Sequence, residues 1–162
     1  MRNAVKITTI NAPNEPAYAL LAQLHRRAFE PQGDSIWSAS AFRQFVESSI
    51  ITAQILQNGN LPVGFSLYRT VANEVEIISI GMDPEFQGKG FANTLISHLI
   101  TSARADGAEK IFLEVRKDNA AAIHLYQKFA FISVGVRENY YKNSLGNDID
   151  ALVFSLELTS KD

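Results

Sequence analysis

Four segments of the chain carry apolar residues at intervals of three and four, which is the spacing of a helix with one buried face. In the third segment this stripe consists of Phe91, Leu95, Leu99 and Ala103. The predicted helices are residues 14–29, a segment that ends at Glu47, residues 90–105 and residues 120–128.

Small polar residues mark the starts of two of these helices. Ser38 or Ser40 precedes the second helix, and Asp118 or Asn119 precedes the fourth. Such side chains accept a hydrogen bond from an unpaired backbone N–H of the first helical turn, so each is a candidate N-terminal cap.

Apolar or alternating runs predict seven strands. They are residues 5–10, 50–57, 61–71, 75–82, 111–115, 131–136 and 151–158. Asn58, Gly59 and Asn60 join the second strand to the third. Asn-Gly between apolar runs is a strong hairpin signal because both residues tolerate positive φ.

The order of the predicted elements is β, α, α, three strands in a meander, then α, β, α, β and a last β. A mixed order of this kind indicates a mixed sheet with helices on its faces. The fold class is therefore α/β in the broad sense, with parallel and antiparallel strands in one sheet. A length of 162 residues is typical of one domain.

Composition removes several classes of function. The chain has no cysteine, which excludes a disulfide scaffold, a thiolate zinc site and a cysteine nucleophile. His25, His98 and His124 lie on different predicted helices without ligand spacing, so we expect no metal site. A formal charge of −2 disfavours direct binding to nucleic acid. Neither a membrane helix nor a secretion signal is recognisable, so we expect a cytoplasmic protein that does not bind membranes.

A glycine-rich loop, Gln87-Gly88-Lys89-Gly90-Phe91-Ala92-Asn93, follows the fourth predicted strand and opens the third helix. The first N–H groups of a helix lack intrahelical partners and attract anions, and glycine lets a phosphate approach the backbone. A Walker loop needs Ser or Thr after the lysine, and a dinucleotide fingerprint needs glycine in place of Asn93, so both patterns fit poorly. The alternative interpretation is a glycine C-cap or an ordinary flexible loop.

Two motifs together resemble the GNAT superfamily of acetyltransferases. The loop matches its pyrophosphate pattern, Gln/Arg-x-x-Gly-x-Gly/Ala, and a later segment runs Leu-Glu-Val-Arg over residues 113–116 and Asn-x-x-Ala-x-x-Leu-Tyr over residues 119–126. Ala130 stands where the superfamily usually has glycine. Within the superfamily, residues 75–158 most resemble the RimI type, the ribosomal-protein alanine N-acetyltransferases.

The resemblance implies a single GNAT domain over residues 1–162, with a mixed, mostly antiparallel sheet of about six to seven strands and about four helices. It implies acetyl-coenzyme A as co-substrate, with the pantetheine arm lying where the strand before the loop splays from the next strand. The cofactor-binding residues implied are Ile80, Gly81 and Met82 along the pantetheine, Gln87, Gly88, Lys89, Gly90, Phe91, Ala92 and Asn93 at the pyrophosphate, and Asn119 at the arm.

The implied reaction is direct attack of an amine on the thioester, with a base to deprotonate the amine and an acid to protonate the leaving thiolate. Glu114 matches the family's base, acting directly or through water. On the residues alone, Glu114 is a carboxylate in an apolar strand, where partial burial favours the protonated form and suits proton acceptance near neutral pH. The alternative is an ion pair with Arg116 or Lys117.

Tyr126 matches the family's acid. On the residues alone it is an aromatic on the core stripe with Ile123 and Phe129. Asn119 has an equally ordinary role as a helix cap, which is compatible with binding the cofactor.

By resemblance, Trp37, Tyr140 and Tyr141 lie on the acceptor side, although aromatic residues at strand ends often serve packing alone. An N-terminal α-amine has a pKa of about 7.7–8.0 against about 10.4 for lysine, so it loses its proton more readily. The implied acceptor is the N-terminal α-amino group of a protein, such as a ribosomal protein. A small amine, a lysine side chain and a non-catalytic acyl-coenzyme A-binding module stay open, as do a monomer and a homodimer.

Overall fold

A computed structural model describes residues 3–158 of the chain. The strands are β1 (Val5–Thr9), β2 (Ile51–Asn58), β3 (Leu61–Val71), β4 (Glu74–Met82), β5 (Lys110–Arg116), β6 (Ile132–Lys142) and β7 (Asp148–Glu157). The helices are α1 (Glu15–Phe29), α2 (Ala39–Glu47), α3 (Phe91–Ala105) and α4 (Ala120–Lys128). Short 3-10 turns, Glu30–Gln32 and Pro84–Phe86, follow α1 and β4.

The strands form one sheet in the order β1-β2-β3-β4-β5-β7-β6. β4 and β5 run parallel, and each of the other neighbouring pairs within residues 3–158 is antiparallel. The crossover between β4 and β5 contains α3, as a parallel pair requires a long connection. The predicted mixed, mostly antiparallel sheet with about four helices is confirmed.

Polar side chains cap three of the four helices. Asn14 caps α1, and the Ser38 hydroxyl accepts a hydrogen bond from the Ala41 N–H at 3.1 Å. The side-chain oxygen of Asn119 accepts one from the Ala122 N–H at 3.1 Å. Among the predicted alternatives, Ser38 and Asn119 are therefore the caps of α2 and α4.

The sheet is covered on both faces. Ile77 and Ile78 are neighbours in β4, yet they pack into different apolar clusters because successive strand side chains point to opposite faces. One face receives α1 and α2 through Leu21 and Phe42, and the other receives α3 through Leu99.

Two strand ends differ from the prediction by more than one residue. β6 continues to Lys142 instead of stopping at Val136, and its partner β7 already begins at Asp148. The polar residues in this extension lack the alternation that signals a strand, and the pairing is irregular between Arg137 and Tyr141. The extension carries the predicted acceptor-side tyrosines on an edge strand.

The β2–β3 hairpin turns at Gly59 and Asn60. Gly59 has a φ of 63°, whereas Asn58 is the last residue of β2 and pairs with Leu61. The predicted hairpin is thus confirmed, but Asn58 needs no positive φ.

Candidate active site

The sheet opens between its two parallel strands. Pairing of β4 with β5 ends at Ile77 and Leu113, although β4 continues to Met82 and β5 to Arg116. On the other side of β4, the register against β3 shifts so that Ile78 is an extra residue, and this irregularity redirects the end of the strand. The result is a cleft between the carboxyl ends of the two strands.

Gly81 lets the end of β4 lie flush against its neighbours. A Cβ atom at this position would be 2.5 Å from a ring carbon of Phe65 and 3.0 Å from the Ala28 Cβ of α1. A larger residue would therefore push β4 away from α1 and narrow or distort the cleft.

The glycine-rich loop leaves the start of α3 without a side-chain cap, unlike the other three helices within residues 3–158. Gly90 is the N-terminal cap residue, with a φ of 86°, and the first helical hydrogen bond runs from the Thr94 N–H to its carbonyl at 3.3 Å. Gly88, with a φ of 71°, has no atom within 4 Å of the place where a Cβ would stand. Open space in front of uncapped N–H groups fits a phosphate.

Asp83 fixes the turn that leads into this loop. Its carboxylate accepts hydrogen bonds from the Glu85 N–H at 3.0 Å and from Arg27 of α1, and the Arg27 hydrogen bond holds the pKa of Asp83 below its usual range. The Gln87 side-chain amide donates to the Met82 carbonyl at 3.4 Å. Hydrogen bonds of the Asp83 and Gln87 side chains thus fix the turn that connects β4 to the glycine-rich loop.

Two cavities meet in the cleft. The loop cavity has about 400 Å³ and is bounded by the glycine-rich loop and the start of α4, and the sheet cavity has about 630 Å³ and is bounded by β4, β5 and the end of β6. Both are lined by Phe29, Gln32, Ile80, Asn119, Ala122 and Tyr126. A ligand that fills one cavity can therefore reach a second ligand in the other.

Tyr126 stands at this junction on α4. Its side chain is buried, and burial raises the pKa of its hydroxyl well above the ordinary value. The helix ends in a Schellman motif, in which the Tyr126 carbonyl accepts the Phe131 N–H at 3.1 Å and the Gln127 carbonyl accepts the Ala130 N–H at 3.0 Å. The rings of Tyr126 and Phe131 pack edge to face with centroids 5.6 Å apart, so the tyrosine is held from both its backbone and its ring.

Glu114 projects from β5 into the sheet cavity. Its carboxylate accepts a hydrogen bond from the Arg137 guanidinium at 2.6 Å, and its side chain is 22% exposed. The alternative partners considered from sequence, Arg116 and Lys117, bind other carboxylates, so that pairing is wrong. The ion pair fixes the orientation of the carboxylate on the wall of the sheet cavity.

The far wall of the sheet cavity is aromatic. Tyr140 and Tyr141 pack edge to face with centroids 4.9 Å apart, and Arg137 lies 4.0 Å from the centroid of the Tyr140 ring. Burial, reinforced by the nearby Glu114 carboxylate, raises the pKa of Tyr141 to about 12. The Tyr141 hydroxyl therefore keeps its proton near neutral pH.

Trp37 lies on the opposite wall and is locked in place by His25. The two rings stack with centroids 4.5 Å apart, and the backbone N–H of Trp37 donates to the His25 Nδ1 at 3.4 Å. Burial lowers the pKa of His25 to about 4, so this histidine is neutral near pH 7.

Nearly all the residues singled out from sequence line one of the two cavities. The loop cavity is lined by Ile80, Gly81, Met82, Gln87, Gly88, Gly90, Phe91, Ala92, Asn93 and Asn119. The sheet cavity is lined by Trp37, Glu114, Tyr140 and Tyr141, and Tyr126 faces both. Lys89 lines neither cavity, and its ammonium lies over the Phe86 ring at 5.3 Å.

Sequence patterns missed several polar residues of the site. Arg137 pairs with the proposed base from 23 positions away, and Asp34 reaches Arg116 from 82 positions away. His25 carries no motif of its own. Arg116 ends a largely apolar strand, and a charge that is buried there needs a partner, although the sequence does not show where in the chain that partner lies.

Two features are absent from residues 3–158. This part of the chain contains no group of three or more His, Asp or Glu side chains placed to hold a metal ion. None of its helices has the length and apolar character needed to cross a membrane.

Comparison with known proteins supplies the family. The family model described as Acetyltransferase (GNAT) family matches residues 17–131. The [ribosomal protein bS18]-alanine N-acetyltransferase of Escherichia coli K12 is 32% identical over 123 residues, which cover 76% of this chain and 82% of that protein. The N-alpha-acetyltransferase RimI of Mycobacterium tuberculosis is 34% identical over 140 residues, which cover 84% and 85%. The crystal structure of the Escherichia coli ribosomal-protein-S18-alanine N-acetyltransferase matches with a TM-score of 0.84 and 27% identity, covering 98% of this chain and 97% of that one.

The sheet opens between two parallel strands beside an uncapped helix start, which suits a transferase with a phosphate-bearing co-substrate. The chain belongs to the GNAT acetyltransferase family. It is an N-acetyltransferase with acetyl-coenzyme A as co-substrate, and the predicted family, fold, enzyme class and co-substrate are confirmed.

Proposed function

We propose that this enzyme transfers acetyl from acetyl-coenzyme A to the N-terminal α-amino group of a protein, such as a ribosomal protein, by direct attack while both substrates are bound. Two relatives support this acceptor, since one is named a ribosomal protein bS18-alanine N-acetyltransferase and the other an N-alpha-acetyltransferase. They align with three quarters or more of this chain.

The observation that carries the proposal is the meeting of two cavities at Tyr126. The loop cavity offers uncapped N–H groups suited to phosphate, and the sheet cavity contains the Glu114 carboxylate between aromatic walls. Two substrates that enter from opposite sides can therefore meet without a covalent enzyme intermediate. Holding both reactants in one cleft lowers the entropic part of the barrier.

On the cofactor side, we assign the pyrophosphate to the N–H groups of residues 88–93, where the helix dipole favours negative charge. The pantetheine arm lies along Ile80, Gly81 and Met82, whose backbone faces the open side of β4 beyond its last pairing with β5. The side-chain Oδ1 of Asn119 accepts the capping hydrogen bond of α4, and the side-chain NH2 group is left to donate to the arm.

Bound acetyl-coenzyme A supplies the activated acyl group and its thiolate leaving group. Glu114 takes a proton from the ammonium group of the acceptor, directly or through one water molecule, and the neutral amine then attacks the thioester. The ion pair with Arg137 orients the Glu114 carboxylate. Tyr126 donates the proton that the thiolate needs, because its raised pKa keeps the hydroxyl protonated at neutral pH.

On the acceptor side, Trp37, Tyr140 and Tyr141 form the contact surface for the first residues of the peptide. A volume of about 630 Å³ is within the usual range of ligand sites and admits more than a small amine. A single carboxylate base also suits an α-amine, whose pKa is about two to three units below that of lysine.

The proposal is tested with a panel of acceptors at fixed acetyl-coenzyme A, following release of free thiol. The panel contains a peptide that begins with Ala, the same peptide with a blocked N-terminus and an added lysine, and a polyamine. We expect turnover with the first and little with the others. Comparable or faster turnover of the blocked peptide or the polyamine would contradict the proposed acceptor.

A further inference from the structure

Arg116 joins three parts of the acceptor side. Its side chain is 11% exposed, and its guanidinium donates to both oxygens of Asp118 at 3.0 and 3.1 Å. The remaining nitrogen donates to Asp34 at 2.7 Å, and the guanidinium carbon lies 5.8 Å from the centroid of the Tyr141 ring. A planar fork can serve two carboxylates and an aromatic ring at once, which an ammonium cannot do.

Asp34 belongs to the irregular segment 33–38 between α1 and α2. Gly33, Asp34, Ser35 and Trp37 of this segment line the sheet cavity. The backbone N–H of Trp37 attaches the segment to His25 of α1. On the other side of the cleft, Asp34 of the segment forms an ion pair with Arg116 of β5. A segment without regular structure depends on such contacts for its position.

The same segment touches the β6–β7 connection on the other side of the cavity. Gly33 has a φ of 75°, and a Cβ there would stand 3.3 Å from the Ser144 Cβ. Segment 33–38 and the end of β6 therefore close over the sheet cavity together, and Arg116 lies between them against Tyr141. The distance between these two walls is the space in which an acceptor has to fit.

We propose that Arg116 is a positioning residue for the acceptor, because its ion pair with Asp34 holds segment 33–38 over the sheet cavity. It acts through that segment, without touching the reacting atoms. The loop cavity is lined by neither Arg116 nor Asp34, so loosening the pair affects the acceptor and spares acetyl-coenzyme A. The proposal rests on the assignment of the sheet cavity to the acceptor.

The test uses Asp34→Asn, Arg116→Lys and the double variant, with an Ala-initiated peptide as acceptor. We expect each single variant to raise the peptide KM about tenfold, because small misplacements of a substrate have effects of this size or larger. The KM for acetyl-coenzyme A is expected to stay unchanged. The double variant should be no worse than the worse single variant, since both remove one shared interaction.

Arg43→Gln is the matched control. It breaks an ion pair of similar length, 2.6 Å to Glu15, that joins α1 to α2 outside both cavities, so its kinetics should equal those of the unmodified enzyme. An unchanged peptide KM in Asp34→Asn and Arg116→Lys overturns the proposal. So does an equal rise in both KM values, which would indicate a general structural role.

Failure of the proposed function looks different, since the unmodified enzyme would then not acetylate the peptide at all. If Asp34→Asn does not fold, Arg116→Lys decides, because it keeps the buried positive charge and loses the fork.

Discussion

Arg137 reaches Glu114 across an intervening strand. Glu114 of β5 pairs with Val153 of β7, and Val153 pairs in turn with Gly135 of β6, two residues before Arg137. The guanidinium and the carboxylate are nevertheless 2.6 Å apart, on the side of the sheet that faces the cavity. The base of the proposed reaction is thus oriented from the edge strand that also carries the acceptor-side tyrosines.

Glu114→Gln tests the base. Glutamine keeps an oxygen that accepts the Arg137 hydrogen bond but takes up no proton at neutral pH, so the geometry is preserved and the proton transfer is lost. We expect kcat to fall about 100-fold, the usual contribution of a general base. Steady-state kinetics at saturating acetyl-coenzyme A measure it, and an unchanged kcat would remove Glu114 from the mechanism.

Arg137→Gln is the companion variant. It leaves the carboxylate in place and removes the residue that orients it, so kcat should fall by less than in Glu114→Gln. Because the Arg137 side chain is 52% exposed, the melting temperature of this variant should barely differ from that of the unmodified enzyme. A loss as large as that of Glu114→Gln would indicate that Arg137 itself contacts the reacting atoms.

Tyr126→Phe tests the acid. The ring packing against Phe131 is preserved and the proton donor is removed, so we expect kcat to fall about 100-fold and the dissociation constant of acetyl-coenzyme A to stay the same. Burial raises the pKa of Tyr126, so the hydroxyl keeps its proton beyond the ordinary tyrosine value of about 10. The rate should therefore show no decline from tyrosine ionisation below that pH.

Tyr18→Phe is the control for that substitution. Tyr18 is fully buried, it lines neither cavity, and its hydroxyl has no hydrogen-bond partner within residues 3–158. Removing a buried hydroxyl of this kind should raise the free energy of unfolding by about 1 kcal/mol and leave kcat unchanged. A matching loss of kcat in both variants would show that the effect at Tyr126 is not specific to the site.

Gly90→Ala tests the phosphate site. Gly90 has a φ of 86°, so alanine either strains the backbone or turns the first N–H groups of α3 away from the loop cavity. We expect the KM for acetyl-coenzyme A to rise about tenfold, equivalent to about 1.4 kcal/mol, with the peptide KM unchanged.

Gly107→Ala is the matched control for the loop. Gly107 has a φ of 80° just after the other end of α3, and it lies outside both cavities. It should lower the melting temperature and spare the KM for acetyl-coenzyme A. If both variants raise this KM equally, strain in α3 explains the result and the loop does not.

Ala130→Gly is expected to stabilise the protein. Ala130 has a φ of 66° in the Schellman motif that ends α4, at the position where the family usually has glycine. Glycine avoids the steric cost of this conformation, so the free energy of unfolding should rise by about 0.5–1 kcal/mol. Ala19→Gly, at an exposed position inside α1, should lower it by about the same amount, and denaturant titration measures both. A lower free energy of unfolding in Ala130→Gly would show that Ala130 is not strained.

Structural features that depend on neighbouring residues were predicted well from the sequence. Periodicity and motif spacing predict features that depend on contacts within a few residues. These features include the loop of residues 87–93, the cap Asn119 and the position of Tyr126 on α4. The end of β6 was missed because its polar residues do not alternate and its strand character comes from pairing with β7.

The polar partners of the site were not predictable in this way. Arg137 and Asp34 meet Glu114 and Arg116 through sheet order and register, which bring distant segments together. A register irregularity between Arg137 and Tyr141 lies where β6 reaches the cavity. A shift of one residue would exchange the two faces of that strand.

We propose that the enzyme transfers acetyl to an N-terminal α-amine. The most direct measurement uses one peptide that begins with Ala and contains an internal lysine, incubated with acetyl-coenzyme A and the enzyme and then fragmented by mass spectrometry. We expect a single acetyl group on the fragments that contain the N-terminus, at a rate that falls with Glu114→Gln. Acetyl on the lysine with a free N-terminus, or coenzyme A release without any modified peptide, would contradict it.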